Sequence, residues 1–183
     1  MNHQNQFQIR LNRATTSTKF YLIFAALMTI EACIVNLSGG FLAKVSVIVP
    51  VYQAEEWIDE CLASIKAQTY RDVELIVEND LQGSGAWAAR NRGLAKATGE
   101  YVTFCDADDF MEPGAIARMV TAMDGVDMVV GSFRKFGTFE EIITHPTVVL
   151  SDAEVADYVL ENLRRPRHNQ MLSGCWAKLY KMD

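Results

Sequence analysis

The chain has 183 residues, half of them apolar and 22% charged. That composition folds into a globular domain with a real core and is too apolar for a disordered segment. A net charge of -6 and a pI near 5.1 exclude a general nucleic-acid binder, whose affinity comes from neutralising phosphates with Lys and Arg, while leaving room for a local anion site.

Residues 1 to 19 are polar, with Arg10, Arg13 and Lys19, and precede "FYLIFAALMTIEACIVNLSGGFLA". A basic flank before an apolar stretch is the pattern of a signal anchor. Glu31 interrupts the run after eleven largely apolar residues, whereas a spanning helix wants about 20. Positive-inside insertion would also carry everything after residue 43 out of the cytoplasm. The expectation is therefore an extension over residues 1–43, either an interfacial helix or translated sequence upstream of the domain with Met28 as a later start, followed by a domain over residues 44–183.

The domain opens with "KVSVIVPVY", a β-branched run of the kind buried in a parallel sheet. In "EEWIDECLASIKAQ", Trp57, Ile58, Cys61, Leu62 and Ile65 share one helical face. "VELIVE" is a strand, and "AWAARNRGLAKATG" reads as a helix closed by Gly99 in a left-handed conformation. "EYVTFC" is a strand, "PGAIARMVTAM" a helix with Pro113 as its first residue, and "VDMVVGSF" a strand. "EEIITHPTVVL" reads as a short strand pair or an extended connection. "SDAEVADYVLENL" is a helix with a capping box from Ser151 to Glu154, and "RRPRHNQ" is a basic loop. Strand and helix alternate, so the class is α/β with a mainly parallel sheet flanked by helices.

The four cysteines, Cys33, Cys61, Cys105 and Cys175, lack C-x-x-C spacing and neighbouring histidines, which argues against a zinc site; two of them fall in apolar patterns and read as buried thiols, and a reduced, cytoplasmic setting fits. His3, His145 and His168 read as leader and loop residues with solvated or structural roles.

Ligands of open α/β sheets bind beyond the carboxyl ends of the strands. Pro50 and Tyr52, Asn79 and Asp80, and the run Asp106 to Asp109 with its three aspartates all fall at such ends. One of these aspartates read alone is a helix cap. Together the three strand ends suit a nucleotide diphosphate with a divalent cation: the ring faces the base, Asp or Asn meets its edge, and carboxylates hold Mg2+ or Mn2+. "GSG", Gly83 to Gly85, is either a tight turn or the anion-binding start of the next helix, from which Arg90 would reach a phosphate.

Three stretches carry a resemblance: "VSVIVPVYQAEEWIDECLASIKAQTYRDVELIV", "AARNRGLAKATGEYVTFCDADDFMEPGAI" and "WAKLY". In this order and combination they resemble the family-2 glycosyltransferases over roughly residues 44 to 181. The resemblance implies a GT-A (Rossmann-like) fold and transfer of a sugar from a nucleotide-activated donor, of UDP type, to the hydroxyl of a saccharide or lipid-linked acceptor in surface polysaccharide or glycoconjugate assembly. It implies inversion, a divalent metal and a cytoplasmic location. The basic loop Arg164 to Arg167 reads either as a solvated loop or as a peripheral contact with a lipid phosphate or anionic membrane surface.

By position, Asp106 and Asp108 match the family's D-x-D motif, with the first facing the nucleotide and the second the metal, and Asp109 matches the acidic residue that follows. Pro50, Tyr52 and Glu55 match the nucleotide-binding start of the domain. Asp80 resembles the residue that meets the base, and Arg90 matches the arginine near the diphosphate. The sequence departs from the family in two places. "ENDLQGSGAWAARN" joins the second strand directly to the Arg90 block, where the family has a further helix and strand. After "WAKLY" the chain ends at Asp183, short of the acidic pair that supplies the family's base, so no catalytic base is assigned. These departures raise an alternative, a noncatalytic remnant with weak or no nucleotide binding. Nucleotidyltransferases and dehydrogenases are disfavoured because "VPVYQAEEW" follows the first strand, where they carry a Gly-rich loop.

Overall fold

The computed structural model describes residues 7–14, 17–24, 43–135, 141–143, 152–164 and 174–182. In chain order they form β1 (Phe7–Ala14), β2 (Ser17–Phe24), β3 (Val45–Val51), α1 (Ile58–Lys66), β4 (Val73–Asn79), α2 (Ala86–Leu94), β5 (Tyr101–Phe104), α3 (Ala115–Thr121), β6 (Met128–Gly131), β7 (Phe133–Lys135), β8 (Glu141–Ile143), α4 (Asp152–Arg164) and β9 (Lys178–Lys181). Residues 40–120 with 179–183 make one unit, and residues 1–39 with 121–178 make another.

In the first unit β3 is central. Its β-branched residues are inaccessible, with Val45, Val47, Ile48 and Val49 all at 0% exposure, as expected of a strand covered on both faces. It runs parallel to β4 on one side, from Val45 opposite Val73 to Val51 opposite Asn79, and parallel to β5 on the other, from Val45 opposite Tyr101 to Ile48 opposite Phe104. β9 pairs antiparallel with β5, with Thr103 opposite Leu179. The α/β class and the mainly parallel sheet of the sequence reading are present here.

α2 lies close against the sheet because its contact residue is Gly93: a methyl there would come within 2.4 Å of Cγ2 of Ile48. The segment after the helix is tied down by side chains of β3 and β4. Ser46 Oγ donates to Glu74 at 2.6 Å and accepts the Gly99 N–H at 2.9 Å. Thr98 reaches Glu74 through its N–H at 2.9 Å and its hydroxyl at 2.8 Å. The Ser46 hydroxyl, followed by the Thr98 N–H, holds the Glu74 carboxyl below its ordinary pKa. α1 carries Asp59 and Glu60 in its first turn and Lys66 in its last, in the sense that suits the helix dipole.

Several local expectations are corrected. α2 ends at Leu94, and Gly99 does not have a positive φ; glycine is needed there because the backbone of β3 passes so near. α3 begins at Ala115 rather than at Pro113, which places Asp106 to Asp109 too far upstream to cap it. Trp57 is half exposed although it lies on the pattern of the apolar face, while Cys61 and Ile65 are buried as expected. Ser151 of the capping box, Met28, His3, His145, His168, Asp183 and most of the basic loop lie outside the described residues.

In the second unit β1 and β2 form an antiparallel hairpin, and β1 pairs antiparallel with β6, Ile9 lying opposite Val130. Part of the expected extension thus pairs with β6, and residues 17–24 form a strand; residues 25–42, most of the apolar stretch read as an interfacial helix or as translated sequence upstream of the domain, lie outside the described residues. β7 and β8 form a separate pair; β8 lies in the "EEIITHPTVVL" stretch, but its partner β7 lies upstream of it, and residues 144–150 are outside the described residues. No helix among the described residues is long and apolar enough to cross a membrane.

Replacing Gly99 with Ala would set a methyl 2.7 Å from the Ser46 backbone N and 2.8 Å from the Lys44 carbonyl, neither of which can step aside without moving β3. The expected cost is about 1–3 kcal/mol of stability, read from urea denaturation of G99A. An unchanged midpoint would show that this close approach does not constrain the fold.

Candidate functional site

Because β4, β3 and β5 are parallel neighbours, their carboxyl ends open on one edge of the first unit. Pro50 is buried near the end of β3, and Tyr52 and Glu55, just beyond it, are exposed. A positive φ of 49° at Gln53 turns the chain there. The Tyr52 ring lies 3.9 Å from the position a Cβ on Gly83 would take, so it rests against the Gly83–Gly85 loop. Trp87, in the first turn of α2, is 69% exposed.

The loop is held by Asp80. One carboxylate oxygen of this buried residue accepts the Gly85 N–H at 2.7 Å, and the other faces Arg92 at 3.4 Å. Burial would raise its pKa, but the N–H groups of Gly85 and Ser84 and the Arg92 guanidinium outweigh that and hold the carboxyl below its ordinary range. Arg92 also lies 3.7 Å from Glu78, whose buried carboxylate forms a close ion pair with Lys96. An acidic residue inside β4 would be costly if unpaired; here it has two cationic partners.

Arg90 is buried, with its side chain 9% exposed, and reaches Asp106 at 2.5 Å. Its guanidinium lies 5.1 Å from the centre of the Trp87 ring, and its Nε has no hydrogen-bond partner. The structure therefore brings together the arginine expected at a diphosphate and the first aspartate of the D-x-D motif. Asp108 is exposed beside them. Asp109 donates its N–H to the Asp106 carbonyl at 2.9 Å, closing a turn. Partial burial, then the charges of Asp106 and Asp108, push its carboxyl up to about 6. Crowded carboxylates of this kind fit a hard divalent cation. No group of three or more His, Cys, Asp or Glu residues among the described ones is arranged to hold a metal ion.

The loop after β5 is fastened by α1, a role the sequence reading missed. Cys61 Sγ lies 3.7 Å from Cys105 Sγ and donates to the Asp106 carbonyl at 3.5 Å. Ser64 Oγ accepts the Met111 N–H at 3.0 Å. Gln68 donates to the Glu112 carbonyl at 2.9 Å and accepts the Ile116 N–H at 3.1 Å. The sequence signal was available only as polar residues at three- to four-residue spacing beside the apolar stripe. Arg92 was likewise overlooked inside the quoted "ARNRG" block.

The description "Glycosyl transferase family 2" matches residues 46–82 and 81–181, and the chain belongs to this family. The two matched stretches overlap at residues 81–82, just beyond the end of β4. Glycosyltransferase GlyA of Streptococcus pneumoniae is 32% identical over 171 residues, covering 75% of this chain and 24% of GlyA. The uncharacterized glycosyltransferase YibD of Escherichia coli is 33% identical over 171 residues, covering 76% of this chain and 49% of its own length. A crystal structure of S. aureus TarS aligns with a TM-score of 0.42 at 28% identity, over 44% of this chain and 19% of TarS. The chain thus spans from about a quarter to about half of the length of these curated relatives.

Loss of the Asp80 carboxylate should free the Gly83–Gly85 loop before it affects the sheet. In D80A, hydrogen exchange is expected to quicken at Gly85 and in the first turn of α2 while β3 stays protected. In D80N, which keeps an oxygen acceptor for the Gly85 N–H, the change should be smaller. Equal exchange at Gly85 in D80A and the wild type would remove Asp80 from this role.

Proposed function

We propose that the chain carries the donor-binding part of an inverting, metal-dependent glycosyltransferase that takes a nucleotide-diphosphate sugar, of UDP type, and delivers the sugar to a saccharide or lipid-linked hydroxyl in surface polysaccharide or glycoconjugate synthesis. The observation that carries this reading is the Arg90–Asp106 contact at 2.5 Å, which sets a buried anion-binding group against the D-x-D carboxylates at the open ends of the strands. Arg90 would meet the diphosphate with its planar fork, including the Nε that lacks a partner. Tyr52, with its ring exposed against the glycine loop, would cover the base, beside Pro50 and with Glu55 at the rim. Asp80 is committed to the loop and would act on the base by fixing that loop as well as through its own edge.

Asp106 and Asp108 would hold Mn2+ or Mg2+. When bound, the ion supplies Lewis-acid stabilisation of the charge that builds on the departing nucleoside diphosphate. The proton of the acceptor hydroxyl must go to a carboxylate not assigned among these residues. Membrane contact and a cytoplasmic location belong to the same proposal.

A second reading, a noncatalytic remnant, draws on the same contacts: Arg90 is already neutralised by Asp106, and both Asp80 oxygens are used within the chain. Calorimetry with UDP separates the two. The donor-site reading expects binding in Mn2+ that disappears in EDTA and weakens by about tenfold or more in D108A. A folded chain that binds no UDP in Mn2+ overturns it in favour of the remnant, and equal affinity in D108A removes Asp108 from the metal site.

A further inference from the structure

β4 pairs with β3 along its whole length, and among the described residues no strand pairs with its other edge. Val45 N donates to the Asp72 carbonyl at 2.9 Å, and Asp80 N donates to the Val51 carbonyl at 2.8 Å. Even-numbered residues of β4 therefore turn their N–H and C=O groups toward β3. The alternation of a strand leaves those of Val73, Leu75, Val77 and Asn79 pointing outward.

Natural edges are protected by proline, bulges or outward charges, and β4 has no such device. It contains no proline. Its two glutamates are drawn inward, Glu74 by Ser46 and Thr98 and Glu78 by Lys96 and Arg92. Val77 is 36% exposed and Leu81, just past the strand, 93%.

The sequence of this edge identifies its occupant. "VELIVEN" reads nearly the same in both directions about Ile76, with Leu75 mirrored by Val77 and Glu74 by Glu78. We infer that β4 is a homodimer edge, pairing antiparallel with β4 of a second copy about a two-fold axis through Ile76. In that register Leu75 faces Val77 of the other copy and Val73 faces Asn79. All four are residues whose amide groups point outward; the Leu75–Val77 pairs exchange both N–H···O bonds, while the Asn79 carbonyl already accepts from Arg92 at 3.4 Å. Ile76 meets its own counterpart as a non-hydrogen-bonded pair. A shift of one residue in the sum of paired positions would set outward groups against inward ones, so the hydrogen-bonding parity and the apolar mirror select the same register. Glu74 falls opposite Glu78 of the other copy. That like-charge pair is tolerable because Lys96 and Arg92 already neutralise Glu78. The interface is isologous, as a two-fold axis requires.

The test uses the full chain. Sedimentation velocity is expected to find wild type at twice its 20.5 kDa mass. V77P removes an outward N–H without touching a bond to β3, and V77K places a charge on the edge. Both should be monomers with wild-type circular dichroism, and V77K keeps the test valid if the proline variant does not fold. I76C under mild oxidation should give a cross-linked dimer that wild type does not, because non-hydrogen-bonded pairs bring Cα atoms to about 4.5 Å, within disulfide reach. A monomeric wild type, a dimer that persists in V77K, or a dimer in which I76C fails to cross-link would each overturn the proposal.

Discussion

The parallel register of β4, β3 and β5 governs most of what this chain presents. Three β-branched or aromatic-rich strands, joined by helices too short to wander, bring Tyr52, Asp80 and Asp106 to the same end of the sheet. That register depends on close packing: α2 approaches β3 through Gly93, and the segment after it passes within contact distance of the β3 backbone at Gly99. Larger residues at either point would push α2, and Arg90 with it, away from the carboxylates.

The site is acidic within an already acidic chain, so its charges need partners. Glu78 has Lys96 and Arg92, Asp80 has Arg92 and the loop amides, and Asp106 has Arg90. At Asp109 partial burial, and after it the charges of Asp106 and Asp108, raise the carboxyl pKa. A cation with a diphosphate would satisfy both sides of this arrangement, supplying positive charge to the aspartates and negative charge to Arg90. The same paired charges serve a second end: with Glu74 and Glu78 turned inward, the outer edge of β4 keeps its apolar, hydrogen-bonding character.

Much of the fold was legible. β3 announced itself by an unbroken β-branched run, and α1, β4, β5 and β6 by period and by turn residues. The aspartates, Arg90 and Tyr52 were legible as candidates because a parallel sheet has only one end where ligands bind. The misreadings were local. Gly99 suggested a left-handed cap when its constraint was a close approach, a distance that no single segment encodes. Trp57 obeyed the helical period but lay at the N-cap position of α1, where it is half exposed. Residues 17–24, apolar and preceded by basic residues, form a strand of a hairpin because β1 supplies a partner that sequence pattern alone does not name.

By itself the sequence determined the α/β class, the order of strands and helices from β3 to β6, and the residue types gathered near their ends, because periodicity and turn chemistry are local properties of the chain. Only the tertiary structure decided that Arg90 touches Asp106, that Asp80 spends its carboxylate on the glycine loop, that α1 fastens the aspartate loop through Cys61, Ser64 and Gln68, and that the glutamates of β4 face inward. Each of these is a contact between segments far apart in sequence, set by the spacing of packed helices and paired strands, and side-chain type does not specify a partner until that spacing exists.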